Sequence, residues 1–198
     1  MTTTSLTKRA LLLCAALSLL ACTEQAPRFH NTDITGSDFG KDFNLTDHRG
    51  QARSLADFRG KAVVVFFGFT HCPDVCPTTL AQMKAVKQQL GADGERLQVL
   101  FITVDPERDT RELLEQYVPA FDESFIGLYG DAAQTEHVAK EFKVYYKKVP
   151  GSGADSYTMD HSAASYAYDP QGRLRLYLKH GQSTQALAED LRLLLEGR

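Results

Sequence analysis

The sequence predicts a three-layer α/β/α domain built on a mixed central sheet, and three observations predict it. Apolar runs with the composition of buried strands alternate with segments whose apolar residues recur at helical spacing. Toward the C-terminus two strands joined by a tight turn precede a last helix, which adds antiparallel pairing to an otherwise parallel pattern. One buried strand also runs straight into a helix start at "FFGFTHCPDVCPTTL" (Phe66 to Leu80), where Cys72 and Cys76 stand four positions apart.

The elements follow in order. The domain is expected over residues 36–198, starting near Gly36, and "FNLTDHRGQARSLADFRGKAVVVFF" opens it with a short hairpin whose turn is Asp47 to Gly50. Ala62 to Phe67 is a continuous β-branched and aromatic run of the kind found inside a sheet. Leu80, Met83, Ala85, Val86 and Leu90 then recur at roughly helical spacing, so Pro77 to Leu90 is a helix with Pro77 in its first turn and Gly91 as its stop. Leu97 to Val104, "LQVLFITV", is a second buried strand. A helix follows from Asp109 or Thr110 to Val118, with Asp105 ending the strand and leading to the helix cap. Ser124 to Tyr129 is a short strand segment and Ala132 to Phe142 another helix. Tyr145 to Asp160 lies in "YYKKVPGSGADSYTMDHS", a Gly, Pro and Ser-punctuated excursion that reads as an irregular loop, and such loops often carry function. Ser165 to Tyr168 and Leu174 to Leu178 are strands joined by the turn "DPQG", and a helix from Thr184 to Glu196, N-capped by Ser183, closes the chain.

With 198 residues, 43% of them hydrophobic, the chain is long enough for one domain with a core plus a short appendage. The formal net charge is −3 and no basic run interleaves with aromatics, so nucleic-acid binding has no compositional support. The appendage is at the N-terminus. Lys8 and Arg9 precede the apolar run "ALLLCAALSLLA", Ala10 to Ala21, which reads as an export signal. Its 12 residues fall short of the roughly 20 that span a bilayer. The run ends Leu19-Leu20-Ala21-Cys22, which resembles the lipobox of bacterial lipoproteins. That resemblance implies a signal peptide over residues 1–21, a lipidated Cys22, and a membrane-anchored lipoprotein facing the periplasm of a bacterium. Residues 22–35, polar and containing Pro27, are expected to be the tether. Cys14 leaves with the leader, so Cys72 and Cys76 remain as the thiols of the mature chain.

A helix N-terminus presents unpaired N–H groups and partial positive charge, which stabilise a thiolate there. The thiolate is both the nucleophile and the soft-metal ligand. If the segment is helical, cysteines four apart lie on one face and their sulfurs converge. Three chemistries compete for such a pair. A thiol–disulfide oxidoreductase normally spaces its cysteines with two residues, and here there are three. A peroxidase needs a threonine and an arginine near the reactive thiol; Thr70 is near in sequence, but no arginine is. A metal clip needs a further ligand, and no second close cysteine pair exists to complete a four-sulfur site.

The further ligand must come from His30, His48, His71, His137, His161 or His180. His30 falls in the tether, His48 in a turn, His137 on an exposed helix face and His180 at a strand end. His71 adjoins Cys72, and adjacent side chains tend to point apart. The overall layout is that of thioredoxin-like folds, and "MDHSAASYAYDP" enters the strand where those folds carry a cis-proline facing the cysteine pair. A histidine there, His161, would look across at Cys72 and Cys76.

"DFRGKAVVVFFGFTHCPDVCPTTL", "VLFITVDPERDT" and "DHSAASYAYDPQGRL", in that order, resemble the Sco/SenC copper proteins that serve assembly of the binuclear copper centre of cytochrome c oxidase. The resemblance runs from Phe39 to the C-terminus. It implies copper, as Cu(I) or Cu(II), held by Cys72, Cys76 and His161, with Asp74 and Asp160 in supporting roles behind the ligands. It implies as partners a copper-accepting oxidase subunit and an upstream copper donor or thiol reductant. Two other functions use the same residues: a tethered thiol reductase acting through Cys72 and Cys76, and a redox or copper sensor.

Overall fold

The computed structural model describes residues 28–151, 153 and 156–198. The expected signal peptide with Cys14, and the expected lipidation site Cys22, lie outside the described residues. The elements run β1 (Thr32–Asp33), β2 (Leu45–Asp47), β3 (Ala52–Arg53), β4 (Ala62–Gly68), α1 (Val75–Leu90), β5 (Leu97–Thr103), α2 (Arg111–Tyr117) and β6 (Ile126–Tyr129). They continue with α3 (Ala132–Glu141), β7 (Tyr146–Pro150), β8 (Tyr157–His161), β9 (Ser165–Tyr168), β10 (Leu174–Leu178) and α4 (Thr184–Leu195).

The main sheet has the order β1-β10-β9-β4-β5-β6-β2-β3. β4, β5 and β6 are parallel neighbours, while β9 joins β4 and β2 joins β6 antiparallel. Every residue of β4 and β5 is buried. Strands covered on both faces favour apolar residues at nearly every position, which is why these two read as hydrophobic runs; the polar exceptions in β5, Gln98 and Thr103, are hydrogen-bonded to Ser124 O and Asp109. Phe66 meets Phe101 edge-on with ring centroids 5.4 Å apart; its neighbour Phe67 points to the other face and meets Phe142, just past α3, at 5.2 Å. Each such phenylalanine contributes roughly 1.5–3 kcal/mol by leaving water. Helices therefore cover both faces of a mixed sheet, the three-layer arrangement the sequence predicts.

The turns rest on single carboxylates. Asp47 accepts from the backbone N–H groups of Arg49 and Gln51, both at 2.9 Å, and from Arg53 Nε at 2.8 Å. Burial would raise its pKa, but these hydrogen bonds and the Arg53 charge bring it below the ordinary carboxylate value. Asp169 holds the "DPQG" turn in the same way, accepting from Gln171 N, Arg173 N and Arg173 Nε.

Two expectations change. The N-terminal stretch joins the domain before Gly36, because Thr32–Asp33 pairs with β10 and the buried Asp190 of α4 accepts from His30 N, Asn31 N and Asn31 Nδ2. The polar composition of residues 30–33 suits an edge strand as well as a tether. The excursion Tyr145 to Asp160 is also no irregular loop along most of its length. β7 and β8 pair antiparallel from Tyr146↔His161 to Pro150↔Tyr157, as a separate two-stranded sheet. Its lysines and threonine face outward while Met159 is buried, and this alternation is diluted by the Gly, Pro and Ser residues of the tip.

Candidate metal centre

β4 ends at Gly68, and the chain turns through Phe69, Thr70 and His71 before Cys72, whose N–H bonds back to Phe69 O at 3.2 Å. α1 begins at Val75, so Cys76 is its second residue and Cys72 precedes the helix. The two sulfurs do not converge as stacked helical neighbours. Instead Cys72 folds back over the helix start, and the Cys76 N–H donates to Cys72 Sγ at 3.4 Å. That N–H is one of the donors every helix leaves unpaired in its first turn.

His161 arrives from the end of β8. Its Nε2 lies 3.8 Å from Cys76 Sγ, and its Nδ1 is 2.9 Å from Ser162 O. A carbonyl only accepts, so Nδ1 carries the proton and Nε2 keeps its lone pair toward the sulfurs. Phe69 packs against the imidazole edge-on, with centroids 5.8 Å apart and planes at 89°. Cys72 Sγ, Cys76 Sγ and one ring nitrogen of His161 all lie within 4.8 Å of one another, a cluster able to hold a metal ion. Cys76 is fully buried while Cys72 and His161 are partly open. Burial, and then hydrogen bonding to Cys72, push the Cys76 thiol well above its ordinary value. Without a cation to compensate, Cys76 is held as a neutral thiol.

Among the other residues singled out by sequence, Asp74 is exposed at the helix start, where its carboxylate accepts from Thr78 Oγ1 at 3.3 Å. Asp160 is exposed, pairs across the arm with Lys147, and follows the buried Met159 on the opposite side of β8. The group bonded to the His161 ring is Ser162 O. His71 is exposed, its Nδ1 3.1 Å from Thr70 Oγ1 and 4.0 Å from Asp109 Oδ1. His30 pairs with Glu189 at 2.7 Å, and His137 and His180 are exposed. His48, expected in a turn, is buried with Nδ1 accepting from Gly127 N at 3.0 Å.

Two supports were not visible in the sequence. Asp109, buried, accepts from Thr70 Oγ1 and Thr103 Oγ1, both at 2.6 Å, and from Thr70 N at 3.0 Å, and so braces the turn that leads to Cys72. The motif "DPERDT" contained it, but only as a helix start. Gly68 is the other: a Cβ there would lie 2.8 Å from both Cys76 Sγ and Phe101 Cε2. Gly68→Ala is therefore expected to cost about 1–3 kcal/mol by overpacking and to shift the Cys76 sulfur. Urea unfolding, together with titration of the two thiols by a disulfide reagent, checks it.

A family model described as SCO1/SenC matches residues 31–196. Mitochondrial SCO2 homolog of Bos taurus is 42% identical over 153 residues, 76% of this chain, and the chain covers 58% of that protein's length. Among solved structures, copper-bound ScoI of Bradyrhizobium japonicum is 40% identical with a TM-score of 0.72, covering 79% of this chain and 99% of that one. Apo Sco1 of Thermus thermophilus is 37% identical with a TM-score of 0.76, covering 86% and 99%. The matched stretch carries both cysteines, His161 and the strands that converge them, and on that extent of likeness the chain belongs to the SCO1/SenC family.

Proposed function

We propose that this chain is an exported, lipid-tethered copper carrier that delivers copper to the binuclear centre of cytochrome c oxidase during assembly. The observation that carries the reading is the convergence of Cys72, Cys76 and His161 within 4.8 Å. Two thiolates and one imidazole are a soft set suited to Cu(I), and the open side at Cys72 leaves room for an oxygen ligand with Cu(II). The copper-bound relative at 40% identity supports copper over other soft metals. Copper is the cargo, so a site partly open at two of its three ligands suits exchange with an accepting subunit on one side and a donor on the other.

The tether and periplasmic location rest on the residues before His30, since His30 to Asp33 join the domain. Among the described residues no helix is long and apolar enough to cross a membrane, and the lipobox-like Leu19 to Cys22 would provide attachment. Cleavage and acylation at Cys22 are expected to appear as a lipid-bearing N-terminal peptide in mass spectrometry; an intact residue 1 in the mature protein would refute them.

Thiol reduction of the accepting subunit's cysteines is the second reading, favoured by one observation: Cys72 and Cys76 are both free, and Cys72 is the accessible one. The two readings part at His161. The reduced chain, loaded with Cu(I) or Cu(II) and desalted, is expected to retain one copper, and His161→Ala is expected to lose Cu(II) and weaken Cu(I). A reductase would tolerate His161→Ala in a thiol-exchange assay. A parent chain that retains no copper would overturn the carrier reading.

A further inference from the structure

His161 is the last residue of an arm that has no ladder to the main sheet. Its base is closed by Tyr145 N donating to Ser162 Oγ and Ser162 N donating to Tyr145 O. Met159 of β8 packs into the core beyond that base, but two hydrogen bonds and one buried side chain leave the tilt of the arm open to whatever holds it farther out.

Farther out it is held by a cluster on the segment after β5. Arg108 Nη1 donates to Tyr157 O at 2.9 Å, and its guanidinium lies over the Tyr157 ring, 3.6 Å from the centroid. Tyr157 OH donates to the buried Asp105 at 2.8 Å, and Arg108 Nε donates to the other oxygen of that carboxylate. Lys148, 3.9 Å from the Tyr157 centroid, pairs with Glu107 at 2.6 Å. Tyr157 is thus in contact with two cations and a carboxylate, and its main-chain carbonyl accepts from one of those cations. Arg108 also stands 5.9 Å from the centroid of Phe69, the ring that walls His161.

We infer that Arg108, Asp105 and Tyr157 form a latch that fixes the β7–β8 arm and thereby positions His161, making Arg108 and Tyr157 positioning residues of the metal centre. The inference rests on the copper-carrier reading of Cys72, Cys76 and His161. The physical ground is that the latch is charge-assisted and partly desolvated, where cation–π contacts and ionic hydrogen bonds are strongest. Residues that orient a metal-bound histidine typically change affinity about 10–100-fold when removed. An unlatched arm would leave the two sulfurs in place and withdraw the imidazole.

The test uses the full chain with three variants: Arg108→Gln, Arg108→Lys and the conservative Tyr157→Phe, which keeps the ring and loses the bond to Asp105. In the copper-free protein, amide exchange of β7 and β8 is expected to rise about tenfold or more in Arg108→Gln, with β4 and β5 unchanged. Loaded with copper, the same variant is expected to lose about 10–100-fold in Cu(II) affinity, matching His161→Ala in spectrum, with a smaller loss for Cu(I). Arg108→Lys should not rescue, since an ammonium offers neither the planar stack nor the two-partner fork; Tyr157→Phe should fall between. Arm exchange equal to the parent's would overturn the latch. So would faster exchange spread evenly into β4 and β5, or Cu(II) affinity within about twofold of the parent's in all three variants. A parent chain that holds no copper would instead defeat the carrier reading on which the inference rests, and the two failures are distinguishable because only the second is seen without any variant.

Discussion

Cys76→Ser is expected to abolish copper retention, a larger loss than the roughly 10–100-fold that removing a supporting residue costs. Cys76 is the fully buried member of the trio, and its sulfur is 3.8 Å from His161 Nε2. A serine hydroxyl stays protonated at any workable pH and is a hard, neutral oxygen, so it replaces neither the charge nor the softness of a thiolate. The thiol in the metal-free chain is held neutral by burial. Metal binding must therefore release its proton, and apparent affinity in the parent is expected to rise with pH. Copper per chain after competition with a chelator, measured at two pH values, checks both points. Near-UV dichroism equal to the parent's shows that the serine chain is folded. Retention by Cys76→Ser within a few-fold of the parent would place the copper elsewhere.

Asp109→Ala is expected to destabilise the fold by about 3 kcal/mol, because it leaves the buried Thr103 Oγ1 and the half-buried Thr70 N and Thr70 Oγ1 without their acceptor. The loss should be local as well as global, since Thr70 is two residues from Cys72. Asp109→Asn separates charge from shape. Burial raises the Asp109 carboxyl above its ordinary value of 3.8, against the hydrogen bonds from Thr103 and Thr70 that lower it. Above 3.8 the unfolded chain releases this proton while the folded chain still holds it. Stability from this group is thus full below that value and lost as pH rises through the raised pKa. Asp109→Asn removes the dependence, so its stability relative to the parent should improve with rising pH. Urea midpoints across the acid-to-neutral range check the sign; a parallel pair of curves would refute it.

Much of this protein is legible in its sequence because local signals and tertiary demands agree. Ala62 to Phe67 and Leu97 to Val104 read as buried strands since burial on both faces leaves few polar positions to confuse the period. Ser183, with its accepting side chain, marks a helix start that the structure uses. The excursion after Tyr145 misleads because its few alternating residues are outnumbered by turn formers. Residues 30–33 mislead because a two-residue edge strand has no periodicity to detect. Asp190, the anchor of that stretch, is 159 positions away from Asn31.

Local signals were enough for the α/β class, the order of strands and helices, the placement of a cysteine pair at a helix start and, through the "CPDVCP" and "DHS" segments, the family. How the site is built emerges only from the folded chain. Folding turned Cys72 back over the first turn of α1, set the proton of His161 on Nδ1 through Ser162 O, made Gly68 and Asp109 necessary neighbours, and gave His161 an arm held by Arg108 and Tyr157. Range separates the two: strand and helix signals are carried by residues a few positions apart, whereas Cys76 and His161, which must meet in the site, are 85 positions apart. That meeting happens only once the chain has folded.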